Sequence, residues 1–383
     1  MDSALAGHVF EDLAPGALML PRDHGGPFLR AAGLVLFSVL IAACAPATRG
    51  ASVLAYAEGD GGLALFLSRK GGQLLGVWEE APVPRRGSAW GKVAENGDLT
   101  LDLSGPFGSG ESRRMTGRLV AGEAGIEGSL EGADGKIRHL SLRRDPAVTA
   151  GFALRAAEAG EEEIPGRKDR VARFSAAMLE PLGAGAFETW YSCAFLDGSD
   201  AMKALSIERD AFLAYYRAEA AELIAKFGPD GPPPWQEDST QFIAFRRGSL
   251  LVVAFSRYSY RGGAHGTHEL RYSIVDTERA RILGRGDIFR PGTDEELSRR
   301  LEAAARAALG LPHGAPLSST GLLFSDRIPP TDNIFPWSGG LGFHYGAYEL
   351  APYAAGDIEI VLPWEAVRDI LKPGTPLLQP SGS

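Results

Sequence analysis

Cysteine is nearly absent: the 383 residues include two, Cys44 and Cys193, which excludes a disulfide framework. Positive charge is also in short supply. Lys and Arg number 39 against 48 Asp and Glu, a formal net charge of −9, so no basic stripe is available to neutralise phosphates and nucleic acid is excluded as a partner. The uncharged run from Ala31 to Ala43 has thirteen residues, short of the roughly 20 that a membrane-crossing helix takes. There is no G-x-S-x-G elbow, no P-loop and no dinucleotide fingerprint, and nothing calls for a cofactor. Glycine and proline, by contrast, are plentiful at 49 and 25, which favours many short strands and turns over long helices. With 45% hydrophobic and 23% charged residues the chain reads as folded, with enough length for two domains that each bury a core.

The apolar run fits the core of a signal peptide, with Arg30 directly before it and Arg22 further upstream. Ile41-Ala42-Ala43-Cys44 comes next and resembles the bacterial lipobox, in which cleavage before the cysteine leaves a thiol that receives a diacylglycerol and an amine that is then acylated. Several acyl chains on one residue anchor a protein stably where one chain does not. Residues 1–43 are thus expected to be a signal peptide and 44–51 a lipidated tether. The first 18 residues carry Asp2, Glu11 and Asp12 but no Lys or Arg, so Met19 is the better start. Cleavage would remove two of the 39 basic and four of the 48 acidic residues, leaving a net charge of −7. Ala45 stands where Asp would signal inner-membrane retention, so the expected location is the cell envelope, at the outer membrane and facing the periplasm. Cys193 then has no partner and is read as a buried apolar residue.

Residues 52–145 show little helical periodicity. Apolar stretches such as Leu63–Leu67, Leu99–Leu103 and Ile137–Leu142 are separated by Gly71-Gly72, Asn96-Gly97 and Asp134-Gly135, dipeptides suited to tight hairpins. This predicts an all-β meander closing into a small barrel or sandwich, with Gly76, Gly91, Gly117 and Gly128 marking bends or close backbone approach. It is read as a binding or spacer module. Residues 146–168, with Pro146, Glu161-Glu162-Glu163 and Pro165, read as a linker. Residues 169–372 mix both periods. A helix over 207–227 stops at Gly228, and strands are expected at 241–245, 250–255 and 270–275. Thr293 with Glu296 forms a capping box for a helix closed by Gly310. Two late strands, 341–345 and 358–362, precede a terminal helix over 364–371, and 373–383 is a tail. The expected fold class is α+β: an N-terminal all-β module, then an antiparallel sheet with helices on one face.

Four segments stand in order in this second domain: residues 227–235 (FGPDGPPPW), 258–266 (YSYRGGAHG), 286–289 (GDIF) and 348–356 (YELAPYAAG). Together they resemble the RsiV-like domain family, the extracellular domain of a lysozyme-sensing anti-sigma factor that also accompanies the deacetylase PdaC. The resemblance implies an α+β fold and a binding role, with a lysozyme-type muramidase or peptidoglycan as partner. Sigma-factor control does not carry over, because no membrane-spanning helix or cytoplasmic segment is present to transmit a signal. Deacetylation does not either, because a Thr-Phe-Asp-Asp-type motif is missing. The expected ligand-binding residues are Tyr258, Tyr260, Gly262, Gly263, His265, Tyr348, Glu349 and Tyr353, since Tyr combines contact area with a polar tip beside a Gly-rich turn. His265 and His268, with Glu269 adjacent, invite a metal reading, but a third ligand is missing. Glycosidase chemistry needs two carboxylates about 5–10 Å apart, for which Glu349 is one candidate. The reading is a lipid-anchored, non-catalytic envelope protein; the alternative is an enzyme modifying or hydrolysing cell-wall glycan.

Overall fold

The computed structural model describes residues 50–59, 62–81, 85–162, 171–228 and 233–378. The expected signal peptide and Cys44 lie outside the described residues. Eight strands close a barrel: β1 (Ser52–Ala57), β2 (Leu63–Lys70), β3 (Gln73–Glu80), β4 (Arg85–Val93), β5 (Asp98–Ser104), β6 (Ser112–Leu119), β7 (Gly125–Glu131) and β8 (Ile137–Arg144). Each neighbouring pair is antiparallel, and β8 returns to β1 through Tyr56↔Arg144 and Ala57↔Arg143. Alternation sends Leu54, Leu65, Trp78, Leu101, Met115 and Leu142 inside. The strand glycines are required by close approach. A Cβ on Gly76 would lie 1.8 Å from the Phe66 carbonyl oxygen, and one on Gly91 1.9 Å from that of Thr100.

The rest of the chain is a sheet-rich α+β assembly. In order it comprises α1 (Pro146–Thr149), β9 (Phe152–Glu162), β10 (Val171–Pro181), α2 (Ala186–Phe195), α3 (Ala201–Phe227), β11 (Trp235–Arg247), β12 (Leu250–Tyr260), β13 (Thr267–Asp276), β14 (Arg281–Leu283), α4 (Arg285–Ile288), α5 (Asp294–Ala308), β15 (Ile334–Trp337), β16 (Gly340–Tyr345) and β17 (Ile358–Pro363). Six strands form one sheet in the order β14-β13-β12-β11-β10-β9, and three form another, β15-β16-β17. Helices α2 and α3 cover one face of the large sheet through Tyr191, Leu205, Phe212 and Tyr216. The opposite face carries Phe242, Phe245, Val252 and Tyr272, which meet barrel residues Ala55, Phe66 and Val77 and the β15 residues Phe335 and Trp337. Helix α5 lies on the small sheet, with Leu297 and Leu301 against Phe343 and Ile360. The Asn333 side chain joins the two sheets, accepting from Tyr272 N at 2.8 Å and donating to Leu270 O at 2.7 Å.

Several expectations are corrected. The supposed linker supplies an eleven-residue strand, β9, paired along its length with β10; as an edge strand it buries one face with Phe152, Leu154 and small Ala156, a weak apolar signal. The pair β10 and β11 is parallel, because the α2–α3 crossover returns the chain in the same direction. Helix α3 begins at Ala201, six residues before the expected start, where Asp200 accepts from Lys203 N at 2.8 Å. Thr293 makes no capping hydrogen bond, because its hydroxyl donates to Arg290 O instead. The terminal helix is two 3₁₀ turns, 364–366 and 368–370. Within the supposed tail, Thr375 and Leu377 are buried, and Arg247 holds the Leu377 carbonyl at 3.1 Å. Cys193 is exposed rather than buried.

Candidate functional site

The loop from Arg261 to Gly266 joins β12 to β13, and Gly262 and Gly263 both have positive φ, at +97° and +94°. His265 projects from this loop and stacks on Tyr353, with ring centroids 3.9 Å apart and planes 18° apart. Tyr348 comes next at 6.0 Å from Tyr353, so three rings form a ladder. Tyr353 Oη donates to Gly266 O at 2.8 Å and His265 Nδ1 donates to the same oxygen at 2.9 Å. The Tyr258 ring closes the other side of Gly266, where an added Cβ would come within 2.5 Å of it. Tyr348 is 59% exposed and adopts φ +70°, a strained conformation for a bulky residue.

The structure therefore gathers Tyr258, His265 and Tyr353 around Gly266, with Tyr348 beyond Tyr353. Tyr260, the last residue of β12, turns to the loop instead, donating to Gly263 O at 3.1 Å. Glu349 does not join the group, since its carboxylate accepts from Gly346 N at 3.1 Å within its own turn. His265 and His268 also separate: His265 lies on the loop, whereas His268 lies in β13. Among the described residues no group of three or more His, Cys, Asp or Glu has the geometry to hold a metal ion.

A second cluster lies in the cleft between the barrel and the sheets, where two adjoining cavities of about 480 and 590 Å³ share Leu75, Trp90, Ser256 and His268 as lining. Period-two alternation places Ser256 and Tyr258 of β12, His268 and Tyr272 of β13, and the cross-strand pair His344 and Glu359 of β16 and β17 toward it. Arg86 enters from barrel strand β4. Its Nη1 meets Glu359 Oε2 at 2.7 Å, its Nη2 donates to Tyr272 Oη at 3.3 Å, and its guanidinium lies 3.9 Å above the Phe335 ring. Tyr272 Oη donates to Glu359 Oε1 at 2.7 Å. Burial alone would push the Glu359 carboxyl up; Arg86 and His344 outweigh it and bring it from 4.5 down to about 2. Burial pushes the nearby Glu79 carboxyl up, with Arg86 opposing.

Further along, His268 Nδ1 lies 2.9 Å from Asp357 Oδ2, and its Nε2 lies 3.3 Å from Ser256 Oγ. The Asp357 hydrogen bond raises His268 above its ordinary 6.5, with burial opposing. His344 is 1% exposed, and neither ring nitrogen makes a hydrogen bond, although Nδ1 is 3.4 Å from Glu359 and Nε2 3.8 Å from Asp357. Sequence reasoning missed Arg86, Ser256, His344, Asp357 and Glu359. The sign available was period-two spacing of polar residues within apolar strands, as in Ser256 and Tyr258 after Val252 and Ala254.

An eight-stranded barrel docked on a mixed sheet with a small second sheet is the class of architecture these residues build. Residues 286–365, from α4 through β17, match the family described as a protein of unknown function, DUF3298. That segment contains His344, Tyr348, Tyr353, Asp357 and Glu359, while Arg86, Ser256 and His268 precede it. The chain is similar to a DUF3298 family member of known structure from Bacteroides fragilis, at 19% identity and a TM-score of 0.53, over 60% of this chain and 97% of that one. It is also similar to a DUF3298 family protein from Pseudomonas aeruginosa, at 20% identity and a TM-score of 0.41, over 59% and 97%. At such identities the likeness to the Bacteroides structure concerns the fold alone. No curated protein matches the chain.

Proposed function

We propose that this chain is an envelope lipoprotein, anchored through acylated Cys44 at the outer membrane and facing the periplasm, whose RsiV-like α+β region binds a lysozyme-type muramidase, with peptidoglycan as second candidate. The observation that carries the reading is the ladder of His265, Tyr353 and Tyr348. Rings fixed on two loops, with the outermost exposed and held at positive φ, provide a rigid contact area of the kind that dominates binding surfaces. The net charge of −7 left after cleavage suits a strongly basic partner such as most lysozymes, and attraction of that kind speeds encounter.

The test is binding to hen-type lysozyme and to purified peptidoglycan, at low and at physiological salt. Micromolar or tighter binding at physiological salt, weakened roughly tenfold or more by Tyr348→Ala or Tyr353→Ala, is expected. Binding to lysozyme seen only at low salt would be charge attraction alone. That result, or variants that bind as the parent does, would remove the reading.

A further inference from the structure

The cleft holds a hydroxyl, an imidazole and a carboxylate in line. Ser256 Oγ lies 3.3 Å from His268 Nε2, and His268 Nδ1 lies 2.9 Å from Asp357 Oδ2. These are the contacts of a nucleophile, its general base and the group that orients the base, which are recognised by geometry rather than by position in the chain. The three side chains come from β12, β13 and the turn ahead of β17, and all line the cavity of about 480 Å³. That volume falls in the range of small-molecule sites. Its lining includes the apolar Leu75, Trp90, Phe107 and Phe242. His268 remains partly exposed to the cleft, its side chain 42% accessible, so it can both exchange protons and admit water.

We propose that Ser256, His268 and Asp357 form the catalytic centre of a hydrolase for carboxylic esters with a short acyl group. Ser256 Oγ attacks the ester carbonyl carbon while its proton passes to His268 Nε2. The tetrahedral intermediate collapses, the C–O bond to the alcohol breaks, and the leaving oxygen takes the proton from His268. Water then attacks the acyl-serine, its proton passing to His268 and from there to Ser256 Oγ as the acid leaves. Asp357 holds His268 with Nδ1 as donor, which leaves Nε2 free to accept. Ser256 lies in a strand paired on both sides, so its own N–H belongs to the sheet ladder and a side chain must meet the developing oxyanion. The wall of the same cavity carries His344 for that role, a buried ring whose nitrogens make no hydrogen bond, with Nδ1 3.4 Å from Glu359 and Nε2 3.8 Å from Asp357. The hydrolase does not depend on the aromatic ladder or on what it binds.

The test uses the purified full-length chain, a fluorophosphonate probe and p-nitrophenyl acetate. The expected result is one covalent adduct, mapped by peptide mass to Ser256, together with ester turnover that chelators leave unchanged. Ser256→Ala should abolish both, and His268→Gln should slow labelling roughly 100-fold or more. Labelling of the unaltered chain does not rely on any variant folding. No adduct on Ser256, an adduct on another residue, turnover that survives in Ser256→Ala, or turnover that requires a metal would each overturn the proposal.

Discussion

Individual side chains in the cleft make opposite demands on pH. Glu359 sits below its ordinary 4.5, at about 2, so the stability it contributes is fully present above 4.5 and is lost as pH falls toward 2. Replacing Arg86 by Ala leaves Glu359 and Tyr272 buried without their cation. Urea unfolding at neutral pH should show a loss of about 3–5 kcal/mol, and the Arg86→Ala chain should lose its cooperative fold at a higher pH during acid titration than the parent does. His268 behaves in the other sense. The groups around it are Asp357, Glu269 on its own strand, and His344 across the cavity. Its value is raised above 6.5, and a general base acts only when neutral, so ester turnover should rise with pH through a midpoint above 6.5. Asp357→Asn removes the partner that raises it, and the midpoint should move down toward 6.5 in a pH–rate profile. A midpoint that stays put would separate Asp357 from the relay.

At the level of elements, strands and their turns were legible because their signals are local. Gly71-Gly72, Asn96-Gly97 and Asp134-Gly135 each close a hairpin of the barrel, and Gly228 ends α3 with φ +74°. Gly76 shows how strongly such a signal can bind. Gly76→Ala would drive a methyl into the Phe66 backbone of the neighbouring strand, and because backbone cannot turn aside, a loss of roughly 1–3 kcal/mol or more is expected in denaturant unfolding. Elements whose stability comes from partners were harder to see. β9 is rich in alanine and glutamate over its length, and only its eleven paired residues against β10 make it a strand. Thr293 and Glu296 had the spacing of a capping box, yet the Arg290 carbonyl competed successfully for the threonine hydroxyl.

Across the whole molecule, the barrel is packed into the sheets. The described residues fall in one compact unit, in which Phe66 and Val77 of the barrel share a core with Phe242 and Phe335. Ser68 Oγ donates to Gln241 O at 2.8 Å, and Arg86 is anchored on the far side of the cleft. Calorimetry should accordingly record a single unfolding transition for barrel and sheets together, with Phe66→Ala lowering its midpoint; two separate transitions would mean that the docking contributes little.

Sequence alone determined the antiparallel β meander and the α+β class of the region after it; closure of the meander into a barrel and the approach of Tyr353 to Gly266, 87 residues away, were not in it. The meander and the class rest on alternation and turn chemistry. Tertiary structure decided the parallel β10–β11 pair, the docking of the barrel, and the meeting of Ser256 with His268 and Asp357. Asp357 is 89 residues from His268 along the chain, and Arg86 is 273 from Glu359. Strand register and sheet stacking bring such groups to hydrogen-bonding distance, and no local periodicity records a distance between strands that the chain visits so far apart.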